Sequence, residues 1–463
     1  MTDHMHPDDI RTLFSRAMSD MYRAEVPQYG ALIDLVRAVN AATLEADPDL
    51  AAQLDAGGER ARLDVERHGA IRLGTAEELA GIRRMFAVMG MYPVGYYDLS
   101  VAGLPVHSTA FRPITPEALA RNPFRVFTSL IRLELVEDRA LAETAAAILA
   151  QRRIFTPGAL TLIDRAEAEG GLSAADARRF VAEALQTFRW HSEATVSSET
   201  YAALHEAHRL IADVVSFRGP HINHLTPRTL DIDAVQAAMP RRGITPKAVV
   251  EGPPRRRAPI LLRQTSFKAL EETVRFQGAA AAGRHTARFG EIEQRGVALK
   301  PAGRALYDRC LAAARASAPV GADGSGGAAY VAALEARFAA FPDDAARLRR
   351  DGLAYFRYRP AGGAVPPAAS VEALIEAGRL IADPQTYEDF LPVSAAGIFQ
   401  SNLGSDAQSN YSAAANREAF ETALGAQVTD ADRLYRAAEK QSLRRALAAL
   451  GQDHLIARLS DAA

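Results

Sequence analysis

The chain has 463 residues, of which 48% are hydrophobic, enough for about two or three ordinary domains with buried cores. Its formal net charge of −2, from 54 basic and 56 acidic residues, excludes the strongly basic balance of a nucleic-acid-binding protein. A single cysteine, Cys310, excludes an internal disulfide framework and suits a reducing cytosol. With no apolar run near the ~20 residues of a membrane span and no signal pattern at the start, we expect a cytoplasmic protein without membrane or nucleic-acid partners.

The first part of the chain is predicted to be helical and is followed by a mixed segment. Residues 1–65 have apolar side chains three or four positions apart, as in amphipathic helices. HGAIRLG, starting at His68, then predicts a strand, and TAEELAGIRRMFAVMG a helix with Thr75 and Glu78 in capping-box register. YPVGYYDLS, LPVHSTAFRPI and PFRVFTSLIRLELV predict further strands. Residues 66–135 are therefore interpreted as one β-α-β-β-β module.

A second segment with the same order of elements follows a helical insertion over residues 136–215. Within residues 216–400, INHLTPRTLDI predicts a strand, DIDAVQAAMPRRG a helix, and APILLRQTSF and TARFGEIEQRGVAL further strands. Helices are predicted next, before another strand in LAYFRYRP. Residues 401–463 form a C-terminal helical segment rich in Ala, Leu and Arg.

The two segments share a weak internal repeat. Each opens with His-x-x-x-Arg, at His68 and at His224, and each closes with a strand that contains Phe, in FTSLIR and FGEIEQ. Superposing the two closing strands on their Phe places Ser129 opposite Glu291. We therefore predict an α+β fold in which two paired β-α-β-β-β modules form an open barrel. Large helical insertions and helical N- and C-terminal segments complete it.

The repeat brings together the residue types of a metal site. Two imidazoles and one carboxylate on one face suit a ferrous ion and leave positions open for substrate and dioxygen. His68 and His224 begin equivalent strands, and Glu291 lies in a closing strand. Because side chains alternate along a strand, Glu293 shares the face of Glu291 and is its rival. His221 is likewise a rival of His224, and strand periodicity alone leaves both choices open.

Four strings resemble the bacterial 2-oxoadipate dioxygenase/decarboxylase family of the vicinal oxygen chelate superfamily. They are RHGAIRLG, GPHINHLTPRTLDID, HTARFGEIEQRG and DFLPVSAAGIFQSNLG, and the resemblance extends over residues 10–455. FGEIEQRG is also similar to the closing metal-ligand strand of 4-hydroxyphenylpyruvate dioxygenases. The resemblance implies Fe(II) as cofactor, with metal ligands at His68, His224 and Glu291. It implies substrate contacts at His68, at Arg72 and, through the backbone, at Val393.

The same resemblance implies a reaction and its partners. A non-haem Fe(II) dioxygenase would convert 2-oxoadipate and O2 to 2-hydroxyglutarate and CO2 in lysine catabolism. The steps would be bidentate chelation of the 2-oxo acid, oxidative decarboxylation and intramolecular hydroxylation. The planar guanidinium of Arg72 would bind a substrate carboxylate and so select a 2-oxo dicarboxylic acid. Arg263, Gln264 and Ser266 are further candidates for the pocket.

Two other functions fit the same predicted fold. One is a glyoxalase-like metal-dependent isomerase or lyase, which takes four protein ligands and a carboxylate base; Glu293 is the obvious candidate for that base. The other is a non-catalytic small-molecule-binding protein. Oxygen consumption separates a dioxygenase from both. The sequence gives no oligomeric state.

Overall fold

The computed structural model describes residues 4–267, 271–279, 281–286, 288–321, 325–391 and 410–461, and in this part the chain has an α+β fold. The helices are α1 Pro7–Glu25, α2 Pro27–Ala46, α3 Pro48–Ala56, α4 Arg60–Leu63, α5 Ala76–Val88, α6 Pro116–Arg121, α7 Arg139–Gln151, α8 Pro157–Glu169, α9 Ala174–Leu185, α10 Ser198–Ala207, α11 Arg209–Val215, α12 Ile232–Ala238, α13 Pro301–Ser317, α14 Gly327–Phe338, α15 Ala345–Arg350, α16 Val371–Glu376, α17 Asn410–Leu424, α18 Ala431–Ala449 and α19 Asp453–Asp461. The strands are β1 Arg67–Leu73, β2 Tyr92–Asp98, β3 Val106–Arg112, β4 Arg125–Ile131, β5 Leu225–Pro227, β6 Leu262–Ser266, β7 Glu271–Val274, β8 Gly283–Thr286, β9 Glu291–Arg295, β10 Phe356–Pro360 and β11 Leu380–Pro384.

Local sequence explains where several of these helices begin. A proline occupies the first helical position of α1, α2 and α3, where its missing N–H costs no hydrogen bond. Helix α5 begins after Thr75, whose Oγ1 accepts a hydrogen bond from the backbone N–H of Glu78 at 3.2 Å. The predicted capping register at this helix is therefore confirmed.

A five-stranded sheet in the order β2-β3-β4-β1-β5 forms the centre of the molecule. Strand β1 runs parallel to β4 and antiparallel to β5, so the first strands of the two predicted segments lie side by side. A single parallel bridge, between Arg228 and Glu293, connects the end of β5 to β9. Strand β9 pairs in turn with β6 in antiparallel register, with Ser266 opposite Glu291. The central strand β5 is therefore flanked by β1 and β9, which carry candidate ligands.

Strand pairing corrects one detail of the predicted repeat. Ser129 of β4 pairs with Arg72 of β1, whereas the residue that bridges to Arg228 is Glu293. If β4 and β9 are equivalent strands, these pairings match Ser129 with Glu293 and not with Glu291. Aligning the strands on their Phe residues displaces one strand along the other by an even number of positions. Because side chains alternate along a strand, such a displacement leaves each side chain on the same face.

Helices cover the sheet and form most of the core. The largest buried apolar cluster joins side chains of α1 and α2, α5, α8 and α9 to the strands, including Phe14, Ile71, Phe86 and Phe188. The described strands do not close into a barrel. The division at residues 65, 135, 215 and 400 and the pairing of two modules stay predictions. No described helix is long and apolar enough to cross a bilayer.

Candidate metal centre

Three predicted side chains meet where β1, β5 and β9 lie together. His68 lies in β1, His224 directly precedes β5, and Glu291 is the first residue of β9. All three are at most 2% exposed. Gly69 permits the close approach of the two histidine segments, because a Cβ at Gly69 would lie 2.5 Å from Cδ1 of Ile222. The structure thus brings together groups far apart in the chain.

The ligand atoms of these side chains are as close as a single metal ion requires. Nε2 of His68 lies 2.9 Å from Oε1 of Glu291, and Nε2 of His224 lies 3.8 Å from the same oxygen. One ligand atom from each residue falls within 4.8 Å of the others. Within the described residues, neither ring nitrogen of buried His224 has a hydrogen-bond partner. A buried imidazole without a partner is costly, and a metal ion supplies the missing one.

Neighbouring polar groups orient the carboxylate of Glu291. Its Oε1 accepts hydrogen bonds from Nε2 of Gln264 at 2.9 Å and from Oγ1 of Thr226 at 3.1 Å. Tyr22 of α1 donates to the carbonyl oxygens of Asn223 at 3.1 Å and of Phe289 at 2.7 Å. The backbone segments that precede His224 and Glu291 are therefore tied together by a residue from the first helix.

Glu293, the predicted rival of Glu291, has a different place. Its Oε2 lies 3.0 Å from Nδ1 of His68, on the side of the ring away from Glu291. Its two oxygens accept hydrogen bonds from Arg295 at 2.7 and 2.9 Å. Glu293 thus faces the outer nitrogen of His68 at ion-pair distance, in the place that a carboxylate commonly takes behind a metal-binding histidine.

The charges around the site set the protonation of these groups. Burial raises the pKa of Glu293, but the Arg295 guanidinium and His68 outweigh burial and hold this pKa at about 2. Burial lowers the pKa of His224 to about 4, against an opposing effect of Glu291. Burial also opposes ionisation of Glu291, yet His224 and His68 keep its pKa below the usual value. At neutral pH the site therefore offers an uncharged His224 and ionised carboxylates, the forms that bind metals. Burial lowers the pKa of His68, but Glu293 and Glu291 outweigh burial and raise this pKa, so a metal ion competes with a proton there.

A buried network of ion pairs lies behind Glu293 and was not predicted. Arg125 contacts the carboxylates of Glu66 and Glu388, and Arg62 pairs with the same two groups at 3.1 and 2.8 Å. The network comprises Arg62, Glu66, Arg125, Arg228, Glu293, Arg295 and Glu388. It connects α4 and the residue before β1 with β4, the end of β5, β9 and the segment after β11. No local sequence pattern signals it, because the partners are far apart in the chain.

The rival histidine, His221, belongs to a different group. Nε2 of His221 lies 3.3 Å from Oδ1 of Asp213, and Nε2 of His285 lies 2.9 Å from the same oxygen. Arg72, the predicted substrate residue, donates from Nη1 to Oδ2 of Asp213 at 2.6 Å. In the described part of the chain, two groups have the donor types and spacing of a metal site: the first triad, and Asp213 with His221 and His285. Sequence reasoning missed Asp213 and His285.

The remaining candidates have mixed outcomes. Gln264 donates to Glu291, and Ser266 lies opposite Glu291 in the β6–β9 register; their part in a substrate pocket stays a prediction. Arg263 instead pairs with Asp233 at 2.7 Å. Val393 lies outside the described residues.

Apolar rings surround the histidine pair. The ring of Phe390 lies 4.9 Å from that of His68, and the ring of Phe289 lies 4.8 Å from that of His224, measured between centroids. This environment limits water around the ligands. Fold and site together define the class: an α+β protein with a buried group of two histidines and one carboxylate that could hold a metal ion.

Comparison with known proteins identifies the family. The model of the 2-oxoadipate dioxygenase/decarboxylase family matches residues 14–402. A 2-oxoadipate dioxygenase/decarboxylase of Pseudomonas putida is 59% identical over 458 residues, which cover 97% of this chain and 98% of that protein. Its Escherichia coli counterpart is 59% identical over 451 residues, covering 96% and 99%. The crystal structure of the Pseudomonas putida hydroxyglutarate synthase in complex with 2-oxoadipate has a TM-score of 0.92 and 57% identity, covering 97% of this chain and 100% of that one. The chain belongs to the 2-oxoadipate dioxygenase/decarboxylase family.

Proposed function

We propose that this protein converts 2-oxoadipate and O2 to 2-hydroxyglutarate and CO2, with one Fe(II) held by His68, His224 and Glu291. The observation that carries the proposal is the convergence of these three buried groups around a point where His224 has no hydrogen-bond partner among the described residues. Similarity to a hydroxyglutarate synthase that was crystallised with 2-oxoadipate supports the substrate. The donor set of two imidazoles and one carboxylate supports iron as the metal.

The reaction balances without a net proton. The dianion of 2-oxoadipate gains two oxygen atoms and loses one carbon as CO2, which gives the dianion of 2-hydroxyglutarate. When bound, Fe(II) supplies the electrons that activate O2 and a Lewis acid for the 2-oxo group. The site therefore has no need of a side chain that gives up or takes up a proton overall. This fits Glu293, whose carboxylate is committed to Arg295 and His68.

The side chains of the site act by holding and shielding. Glu291 is fixed by Gln264 and Thr226, so its carboxylate faces the two imidazoles with little freedom. Glu293 fixes the ring of His68 through Nδ1 and leaves Nε2 for the metal. The Phe289 and Phe390 rings and the covering helices exclude water, which protects a reactive centre and strengthens electrostatic interactions.

Arg72 would bind the distal carboxylate of the substrate. It lies on β1 with His68, on the same face of the strand, and its guanidinium matches a carboxylate. We also propose that His68 and the backbone of Val393 contact the substrate, as in the family that the sequence resembles. A six-carbon dicarboxylate would thus be held at both ends.

The proposal extends to architecture and setting. Strands β1 and β5 pair, β1 is parallel to β4, and β5 bridges in parallel to β9, so both halves use the same neighbours. This supports two related modules around one metal, within the predicted division of the chain. We further propose a cytoplasmic role in lysine catabolism.

The decisive experiment loads the metal-free protein with Fe(II) under anaerobic conditions and then adds oxygen. Oxygen uptake and CO2 release are measured with 2-oxoadipate and with 2-oxoglutarate, beside a Glu291→Ala variant. Glu143→Ala, at an exposed position of α7, is the matched control. We expect O2 and CO2 in equal amounts with 2-oxoadipate, and none with Glu291→Ala. Substrate loss without oxygen uptake would favour a glyoxalase-like isomerase, and binding without turnover a binding protein.

A further inference from the structure

A second buried cluster lies beside Arg72 and has no part in the reaction described so far. It consists of Asp213 in α11, His221 in the segment before β5, and His285 in β8, and we call it the Asp213 cluster. These three side chains are 4–6% exposed. Oδ1 of Asp213 accepts from Nε2 of His285 at 2.9 Å and lies 3.3 Å from Nε2 of His221. One carboxylate oxygen is thus shared by two imidazoles.

The other oxygen of Asp213 holds Arg72. Nη1 of Arg72 donates to Oδ2 of Asp213 at 2.6 Å. In the amide orientation that satisfies its hydrogen bonds, the oxygen of Asn223 also accepts from this Nη1, at 3.0 Å, and from Nε2 of His221 at 3.3 Å. The guanidinium nitrogen is therefore anchored between a carboxylate and an amide. Because a guanidinium is planar and rigid, fixing one of its nitrogens sets the direction of the whole group.

An outer partner completes the cluster. The hydroxyl of Tyr201, in α10, lies 2.8 Å from Nδ1 of His285. In a neutral imidazole that donates from Nε2 to Asp213, Nδ1 is the acceptor and the tyrosine hydroxyl is the donor. Burial would raise the pKa of Asp213, but His221 and Arg72 hold this pKa well below its usual value. The carboxylate therefore stays ionised and its hydrogen bonds to Arg72 are charge-assisted.

The cluster has the residue types of a metal site, yet its bonding differs from that of the metal centre. Both oxygens of Asp213 are engaged by side-chain donors, and a guanidinium already neutralises the carboxylate. A divalent cation would face this positive charge at short range, which disfavours binding. Separations of 2.9 and 3.3 Å also occur between ligands of one ion, so metal content is measured in the test.

We propose that Asp213, held by His221 and His285, is a positioning residue that aims Arg72 at the distal carboxylate of the substrate. The proposal rests on the proposed function, in which Arg72 binds that carboxylate. It adds the reason for selectivity: an arginine that is fixed before substrate arrives loses little conformational freedom on binding. The cluster would then determine preference for a dicarboxylic over a monocarboxylic 2-oxo acid.

The test uses the full-length, Fe(II)-loaded protein and two substrates of equal length. These are 2-oxoadipate and 2-oxohexanoate, which lacks the distal carboxylate. For Asp213→Asn we expect the KM for 2-oxoadipate to rise about 10- to 100-fold, the factor of a charge-assisted hydrogen bond. The kcat, the iron content and the low kcat/KM for 2-oxohexanoate should stay near wild type. Asp164→Asn, in an exposed pair with Arg84, is the matched control.

Tyr201→Phe is a milder variant in case Asp213→Asn does not fold. It removes only the hydrogen bond to His285, and we expect the same KM to rise about 2- to 5-fold, as for a neutral hydrogen bond. An unchanged KM in the variant that folds would overturn the proposal, as would an equal loss of kcat/KM with both substrates. Loss of a second metal ion per chain in Asp213→Asn would instead make the cluster a metal site.

Arg72→Ala, measured in parallel, separates the two levels of inference. If it leaves the KM for 2-oxoadipate unchanged, Arg72 does not bind substrate, and the positioning role fails with that part of the proposed function. If Arg72→Ala raises this KM and Asp213→Asn does not, the proposed function stands and the positioning role alone is overturned. Similar rises in both variants, not additive in the double variant, would support the proposal.

Discussion

The described residues contain two buried groups of two histidines and one carboxylate, and these groups differ in what surrounds them. In the proposed metal centre, among the described residues, His224 has no hydrogen-bond partner and no arginine pairs with Glu291, whose Oε1 is hydrogen-bonded to His68, Gln264 and Thr226. In the Asp213 cluster, Arg72 neutralises the carboxylate and side-chain donors engage both oxygens. Donor types alone therefore do not define a metal site. Two observations distinguish a metal site from a group that supports an arginine: whether a ligand lacks a hydrogen-bond partner, and whether a cation already pairs with the carboxylate.

The largest expected effect tests the metal side of this comparison. His224→Ala removes a ligand, so we expect iron content near zero and an activity loss of at least ~10³-fold, equal to about 4 kcal/mol of transition-state stabilisation. His285→Ala, in the other group, should still bind one iron per chain. Metal analysis after anaerobic loading, together with oxygen uptake, measures both. The comparison breaks if His285→Ala loses the iron and His224→Ala retains it.

A smaller effect, on iron affinity, is expected from Glu293, which lies beside the outer nitrogen of His68. Glu293→Gln keeps the shape of the side chain but removes the negative charge beside Nδ1 of His68. We expect iron affinity to fall about 10- to 100-fold, the usual consequence of losing an outer partner of a metal ligand. Competition with an iron chelator measures the affinity. Glu272, whose carboxylate pairs with Arg288, is the control position, and the Glu272→Gln variant should bind iron like wild type.

The smallest expected effect is on the folding stability of the metal-free protein at acid pH. Burial lowers the pKa of His224 to about 4, so between pH 6.5 and 4 the unfolded chain takes up a proton that the folded chain does not. The free energy of unfolding should therefore decrease as the pH is lowered through this window, and His224 should account for about 2 kcal/mol of the decrease at pH 5. Urea denaturation of wild type and His224→Gln measures it. Equal pH slopes in the two proteins would show that His224 is not held uncharged.

The sequence was informative where chemistry follows local patterns. Strand alternation and the His-x-x-x-Arg repeat narrowed the ligands to His68, His221 or His224, and Glu291 or Glu293; the family resemblance favoured His68, His224 and Glu291, which the structure brings together. Capping at Thr75 and the order of elements through β4 were predicted for the same reason, since each depends on neighbouring residues. The ferrous identity of the metal and the roles of Arg72 and Val393 came from family resemblance and stay proposals.

Other features depend on contacts that no local pattern encodes. Asp213 lies in the helical insertion and His285 on the β7–β8 hairpin, so only tertiary structure joins them. Strands β7 and β11, and all of β8 except Thr286, were not predicted, because each is only four or five residues long. The choice between Glu291 and Glu293 also needed coordinates. Both face the same side of β9, and only the distances show that one meets Nε2 of His68 and the other Nδ1.

The hydroxyl of Tyr22 has a consequence for dissecting the protein. It reaches from the first helix to the carbonyls of Asn223 and Phe289, next to two of the proposed ligands. A shortened polypeptide starting at residue 66 would strip both carbonyls of this donor and uncover the apolar face on which α1 rests. The amino-terminal helices thus support the backbone beside the proposed ligands, and the β-rich segment without them would lose that support.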